Sequence, residues 1–554
     1  MVKNKPKICP IYCSLLRIRR KVSFPVLSVA LDNAKGQADT LSDMKADNDL
    51  YRQMRTLSAE HLWAIEVPKF NQASATDRTR LVGLIRAVGV VFASSGTASQ
   101  KVAVKAWMKS LLQDPSEKVR RYAMAAIPKL GGDVEAEKEI LSILKTSSVD
   151  REKRKAGAAL EKIAGQETLQ TLAQSQTPLP FSEQKIRANV ARQTNPSSLR
   201  MDEILERYDT LRISLRCRKG LEALLAEEVK ESAKHGGKFR LLEIRGCHVV
   251  VAATAPFTLR DLYQLRCFDT CAFSLGRIDH PQAADAIQRL AKLIASPLTE
   301  RLMSSFTVGS FRYRLSFSDA STSDVLLQKC AQAAFEINPR ILNDARESAW
   351  SIEVYVTPTA ALVELSPKVL PDPRLAYRMG TISAASHPPL AACIARLANP
   401  QANEVVWDPF CGSGMELIET CLRGGVVKVI GSDLSEEAIQ HAQNNFQAAN
   451  LAGVKSHFII GDFRNYLAET DLQPATVSLV VSNPPLGRRV RVPNLQGMFT
   501  DFFQAASRVL KPGGKLVFVN PLKLEPADSS LRRTYRQVVD LGGYDCRLEV
   551  YVKL

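Results

Sequence analysis

From Tyr377 onward, strand-like and helix-like runs alternate, and no other feature constrains the fold of this chain as tightly. "PPLAACIARLAN" has helical spacing, and "EVVWDPFCGSG" passes from a strand into a glycine turn. "MELIETCLRGG" is a helix, "KVIGSDLS" a strand, "EEAIQHAQNNFQAANL" a helix and "HFIIGDF" a strand. "VSLVVSNPPLG" ends a strand on two prolines, "MFTDFFQAASRVL" is helical, and "GGKLVFVNP" and "RLEVYVKL" are strands. Repeated βα units predict a doubly wound, mostly parallel sheet.

Ligands of such sheets gather beyond the carboxyl ends of the strands, where the order reverses. Four strand ends here carry unusual residues. The first is "DPFCGSG", with Asp408, Phe410, Gly412 and Gly414. Its glycines let backbone N–H groups approach a ligand closely. The third glycine of the dinucleotide fingerprint is missing, which argues against NAD. The second is Asp433, where a carboxylate can hold ribose hydroxyls. The third is Asp462, beside Phe463, placed to accept from an exocyclic amine. The fourth is the turn Asn483, Pro484, Pro485, Leu486. An amide followed by two rigid residues without N–H donors makes a stiff set of acceptors. Arg488, Arg489 and Arg491 follow directly and are placed to grip phosphates. His387, ahead of two prolines, is expected to cap a helix. Arg532, Arg533 and Arg536 are expected on a solvated helix face.

Upstream, residues 49–174 show helical spacing throughout. "KVRRYAMAAIPKLGG" and "REKRKAGAALEKIAG" echo one another, with Ala125, Ala126 and Gly132 falling on Ala158, Ala159 and Gly165. Small residues at a fixed period let helices stack closely, which predicts a short helical repeat. Residues 175–208 are polar and basic and are expected to be a linker. Residues 209–370 mix strands and helices as an α+β unit with helices on one face of a small sheet.

Composition narrows the partners. The formal net charge is +17 over 554 residues, yet Gln401 to Leu554 holds 16 basic and 16 acidic residues. The whole excess therefore lies upstream, where a polyanion would be gripped. No run of 18 apolar residues occurs, so no membrane span is expected. Eleven scattered cysteines without a C-x-x-C pair read as reduced intracellular thiols, with no metal site. Residues 1–48 begin with 31 residues holding seven basic side chains and no acid. They are expected to be a basic leader for chloroplast or mitochondrial import, with a cytoplasmic or nuclear RNA-touching arm as the alternative.

The ordered strand-end residues, with "SNPPLG", resemble class I S-adenosylmethionine-dependent methyltransferases acting on exocyclic base amines. "RKGLEALLAEEV" and "WSIEVYVTPTAALVELSP" resemble the ferredoxin-like and THUMP region of RNA methyltransferases that make N2-methylguanosine in tRNA or rRNA. The helical third resembles HEAT-like repeats. The implied architecture is multidomain: α-helical repeats (49–174), linker (175–208), α+β ferredoxin-like/THUMP region (209–370) and α/β Rossmann-like class I methyltransferase (371–554). The resemblance implies that S-adenosylmethionine sits on Asp408, Phe410, Gly412, Gly414, Asp433, Asp462 and Phe463. It implies that Asn483, Pro484, Pro485 and Leu486 face the base and that RNA docks on the THUMP-like region; the helical repeats lie outside that resemblance and are a candidate dock for a protein partner. Leu486 departs from the Tyr or Phe usual at that place, which leaves Phe410 or Phe463 to stack instead. It also keeps open an inactive RNA-binding protein of the same fold. Adenine N6 is the rival target, because the Asn-Pro-Pro motif serves both.

Overall fold

The computed structural model describes residues 46–174, 183–318, 323–380, 382, 385–465, 472–487 and 491–554. Its first part is a stack of helices: α1 (Val82–Ser95), α2 (Ala98–Ser110), α3 (Glu117–Ala126), α4 (Val134–Thr146), α5 (Asp150–Ile163), α6 (Gln166–Gln174) and α7 (Glu183–Thr194). Alternate members pack on each other, α1 on α3, α3 on α5 and α5 on α7. Small residues make this possible: Ala123, Ala126, Ala156 and Ala159 are buried along the seam. Caps fix the helix starts. Thr97 and Gln100 form a reciprocal capping box on α2, and Asp133 accepts from the Ala136 N–H on α4. Arg120 holds Glu152 through two hydrogen bonds of 2.6 and 3.0 Å, tying α3 to α5.

The stretch expected to be a linker contains α7. Its apolar residues are few, but Ile186 and Val190 bury on the helical stack while Ala188 packs on Phe335 and Leu342 of the next unit. The helix forms because both of its faces find partners, which a polar local composition does not announce.

The second part is one eight-stranded sheet, larger than expected: β1 (Ile213–Arg216), β2 (Phe239–Arg245), β3 (His248–Ala253), β4 (Thr270–Asp279), β5 (Phe311–Phe317), β6 (Ile341–Asn343), β7 (Trp350–Val356) and β8 (Ala360–Pro367). The order is β2-β3-β1-β4-β8-β7-β5-β6. Antiparallel pairing of β4 with β8 joins what would otherwise be two small sheets.

The third part holds β9 (Glu404–Asp408), β10 (Val426–Asp433), β11 (Lys455–Ile460), β12 (Val477–Ser482), β13 (Leu510–Asn520), β14 (Leu531–Asp540) and β15 (Asp545–Lys553). Their order is β11-β10-β9-β12-β13-β15-β14, with β15 antiparallel to both neighbours. The order reverses between β9 and β12, so the crevice for a ligand opens there. Arg532, Arg533 and Arg536 lie on the edge strand β14, not on a helix. Pairing with β15 overrides the local pattern, and Arg536 reaches the buried Glu549 at 2.5 Å.

The second and third parts share one apolar core. Cys217, Leu221 and Leu265 belong to it together with Cys393, Leu417 and Val539. Arg266 bridges them as well, donating at 2.7 and 2.8 Å to Glu419 of the helix that follows β9. Tyr377 donates to the same carboxylate at 2.6 Å. The nine described cysteines are all buried. Among the described residues no helix is long and apolar enough to cross a membrane.

Candidate active site

Strand β9 ends on Asp408, which is fully buried. The chain then turns through Gly412 and Gly414, at φ +51° and +82°, into helix α8 (Met415–Leu422). A side chain at Gly414 would be strained at that φ and would press on Ala442. The Asp408 Oδ1 atom accepts from the Phe410 N–H at 3.0 Å and from the Ser482 hydroxyl at 2.7 Å. Ser482 is the last residue of β12, so this bond fastens the glycine loop to the Asn-Pro-Pro turn. Burial drives the Asp408 carboxyl well above its ordinary range, and the neighbouring Glu416 adds to that shift.

Asp433, at the end of β10, accepts from the Gly412 N–H at 3.0 Å and from the Ser435 N–H at 3.0 Å. Asp462 follows β11 and is half-buried. Its carboxylate accepts from the Arg464 N–H at 3.0 Å and from the Arg464 guanidinium at 2.8 Å. Phe463 is buried, packed on Phe410 with ring centroids 4.8 Å apart and on Phe502. Phe410 is half-buried and stands nearer the loop.

Asn483 is fixed from one side only. Its amide Nδ2 donates to the Ser386 hydroxyl at 2.8 Å. Ser386 in turn is hydrogen-bonded to the buried Glu416 carboxyl, which burial pushes up to about 7 against an ordinary 4.5. Ser386 accepts from the Asn483 amide and keeps its own hydroxyl proton for another acceptor. That relay turns Asn483 Oδ1 the other way. This oxygen is buried and has no partner among the described residues. The same holds for Asp408 Oδ2, Ser413 Oγ, Glu416 Oε1 and Ser432 Oγ. Five orphaned polar atoms around one glycine loop are costly unless a polar ligand satisfies them.

Pro484 is buried, and Pro485 and Leu486 are half-buried, with Leu486 resting on the shared core. Gly487, at φ +75°, closes the turn. Arg491 is exposed, while Arg488 and Arg489 lie outside the described residues. His387 occupies the N-cap position of the helix Pro388–Ala398, but its side chain makes no capping bond. Burial, with Arg218, Arg374 and Arg378 nearby, pushes its imidazole down to about 3, so it stands neutral against Asp269 at 3.3 Å. Burial raises Asp269 to about 6.

The structure therefore joins Asp408, Gly412, Asp433 and Asn483 through direct or one-residue links, and sets Asp462 and Phe463 at the neighbouring strand end. Sequence reasoning missed Ser386, Glu416 and Ser482. An acid inside the apolar run "MELIETCL" was the one available signal.

Glu416 yields a prediction on stability. The folded protein keeps its proton up to about pH 7, whereas the unfolded chain loses it near 4.5. Its contribution is thus complete at low pH and declines as pH rises between those values. Glu416→Gln is expected to flatten the stability profile across that window and to exceed wild type at pH 8 by up to about 3 kcal/mol. Urea unfolding at pH 5 and pH 8 measures it. Equal pH dependence in both proteins would mean that Glu416 ionises freely when folded.

Ser386→Ala frees the carboxamide to rotate. A fall in kcat of about tenfold is expected, with cofactor affinity unchanged. Unaltered kcat would remove Ser386 from the relay.

Known proteins resemble this part of the chain. The family model described as UPF0020, RMKL-like, methyltransferase domain, matches residues 376–546. The chain is 30% identical over 141 residues to the "Probable tRNA (guanine(10)-N2)-dimethyltransferase" of Methanothermococcus thermolithotrophicus, covering 24% of this chain and 81% of that protein. It is 28% identical over 130 residues to the "U6 snRNA (guanine-N(2))-methyltransferase THUMPD2" of Bos taurus, covering 24% of each. The chain thus spans most of the archaeal relative and about a quarter of the bovine one. Among solved structures, TrmN from Thermus thermophilus aligns with a TM-score of 0.50 at 22% identity, over 62% of this chain and 100% of that one. At that identity the likeness concerns the fold.

Proposed function

We propose, on the premise that this chain belongs to the RMKL-like methyltransferase-domain family, that it transfers a methyl group from S-adenosylmethionine to the exocyclic N2 of a guanine in RNA. S-adenosylmethionine supplies a methyl group activated by its positive sulfur. The residues present suit such a cofactor: the Asp408–Gly414 loop for the methionine portion, Asp433 for the ribose and Asp462 for the adenine end. The unsatisfied atoms of Asp408, Ser413 and Ser432 support this assignment.

The buried, unpartnered Asn483 Oδ1 carries the reading. A base amine is a weak nucleophile because its lone pair is delocalised into the ring. Asn483 Oδ1 and the Pro484 carbonyl accept its two hydrogens and turn the lone pair out of conjugation. Pro485 and the Ser386 contact keep those acceptors in place before the base arrives. No strong general base is required, because the amine loses its proton to solvent once the N–C bond has formed and the S–C bond has broken, and His387 is neutral and off this path. The guanine enters unpaired or flipped. Leu486 presses on the base where an aromatic would stack, at a loss of some of the roughly 1–3 kcal/mol that stacking supplies.

The eight-stranded sheet unit acts in this reading as the ferredoxin-like and THUMP-like platform on which RNA docks. The helical stack is HEAT-like and is available to a protein partner. Arg488, Arg489 and Arg491 grip phosphates beside the base. The leader, outside the described residues, directs import into a chloroplast or mitochondrion, which a fusion of residues 1–48 to a fluorescent protein tests.

Transfer of labelled methyl to total RNA, followed by nucleoside analysis, tests the function. N2-methylguanosine is the expected product. N6-methyladenosine would move the target to adenine. No incorporation despite cofactor binding would favour the second reading, an RNA-binding protein whose site is silent, for which Leu486 is the motivating residue.

A further inference from the structure

We propose that Arg55, Arg86, Lys129, Lys155 and Lys162 of the helical stack form an additional RNA-binding surface, which takes the sugar-phosphate backbone of the substrate RNA. The inference rests on the RNA-methylation reading for the identity of the polyanion, and on the stack itself for the surface.

The five cations come from four segments that packing brings together; Arg55 lies one turn past Tyr51, its N–H donating to the Tyr51 carbonyl at 3.0 Å, and Arg86 lies over the Tyr51 ring. The turn Ile127–Lys129 touches both α1, which carries Arg86, and α5, which carries Lys155 and Lys162. Lys155 and Lys162 are seven residues apart on α5 and therefore share one face. All five side chains are exposed. Burial lowers the Lys129 ammonium first, and Arg86, Lys162, Arg55 and Lys155 lower it further, in that order. Lys155 is lowered by burial and then by Lys162, Arg121 and Arg86.

Several other cations of the stack are neutralised. Arg78 pairs with Asp114 at 2.8 Å, Arg120 with Glu152 at 2.6 Å, Arg151 with Glu117 at 2.9 Å and Lys138 with Glu167 at 3.1 Å. The five named cations form no ion pair among the described residues. Asp47, an acid close to this face, is taken by Lys118 at 3.0 Å and by the Tyr122 hydroxyl at 2.9 Å. Arg86 is held outward: it lies over the Tyr51 ring at 4.0 Å and donates to Asn48 at 2.9 Å. Like charges gathered without counterions oppose folding, so the arrangement is self-defeating unless an anion completes it. A chain of phosphates matches five cations spread over several packed segments better than a single small anion does.

The test uses the full chain and bulk tRNA as the probe, with dissociation constants measured across a range of salt. A variant carrying R86Q, K129Q, K155Q and K162Q is expected to bind about 10–100-fold more weakly at 0.1 M salt and to lose about 3 from the log–log salt slope. A second variant, Lys129→Glu, separates binding from folding: it relieves repulsion, so its melting temperature is expected to hold or rise while RNA affinity falls. Unchanged affinity and slope in both variants would overturn the inference, and is also the result if an acidic protein is the occupant. Failure of the underlying reading looks different, because wild type itself would then neither bind nor methylate RNA.

Discussion

Asn483→Ala is expected to lower kcat by about 10^2–10^3-fold, the loss typical of removing one preorganised polar group from a reacting centre. Cofactor affinity is expected to stay within about threefold, because no bond joins Asn483 to the glycine loop directly. Ser482 remains to hold Asp408 at 2.7 Å, so the loop keeps its shape. The effect should fall on kcat and kcat/KM alike, since the acceptor acts on the amine as it reacts. A parallel measurement of cofactor binding by calorimetry separates this outcome from collapse of the site. Retention of more than a tenth of wild-type kcat would show that the amine is oriented by something else.

Glu419→Ala is expected to destabilise the protein by about 3–5 kcal/mol, the scale for stranding one partner of a buried ion pair. Its carboxylate is almost wholly buried, at 2% side-chain exposure, and receives both Arg266 and Tyr377. Removing it leaves a guanidinium and a hydroxyl without an acceptor at the junction between the eight-stranded sheet and the catalytic sheet. Arg266→Ala should cost a similar amount, and the double variant should cost much less than the sum of the two. Denaturant unfolding followed by tryptophan fluorescence and circular dichroism measures all three. Additive losses would mean that the two residues act independently.

The catalytic sheet was legible in the sequence because its strands are apolar runs that stop at Gly, Pro or Asp. Asp408, Asp433, Asp462 and Asn483 each mark such a stop, and strand order then puts them along one edge. Less legible were features set by distant pairing. The α7 helix depends on two different surfaces for its burial, neither of them local. Strand β14 lies at an edge with exposed arginines, so its alternation is masked by charge. The union of β4 with β8 spans some eighty residues of chain, beyond any short-range signal. Ser386 and Ser482 are ordinary in sequence and gain their roles only from what stands opposite them.

The buried thiols have a practical consequence. Between Cys13 and Cys217 the chain has no cysteine at all, so the helical stack is chemically blank to thiol reagents. The nine interior sulfurs of the other two parts become reactive only when those parts open. Alkylation kinetics of the native protein would therefore clock the opening of the catalytic and sheet units. A single cysteine installed on an outer helix would report RNA contact from a region with no thiol of its own.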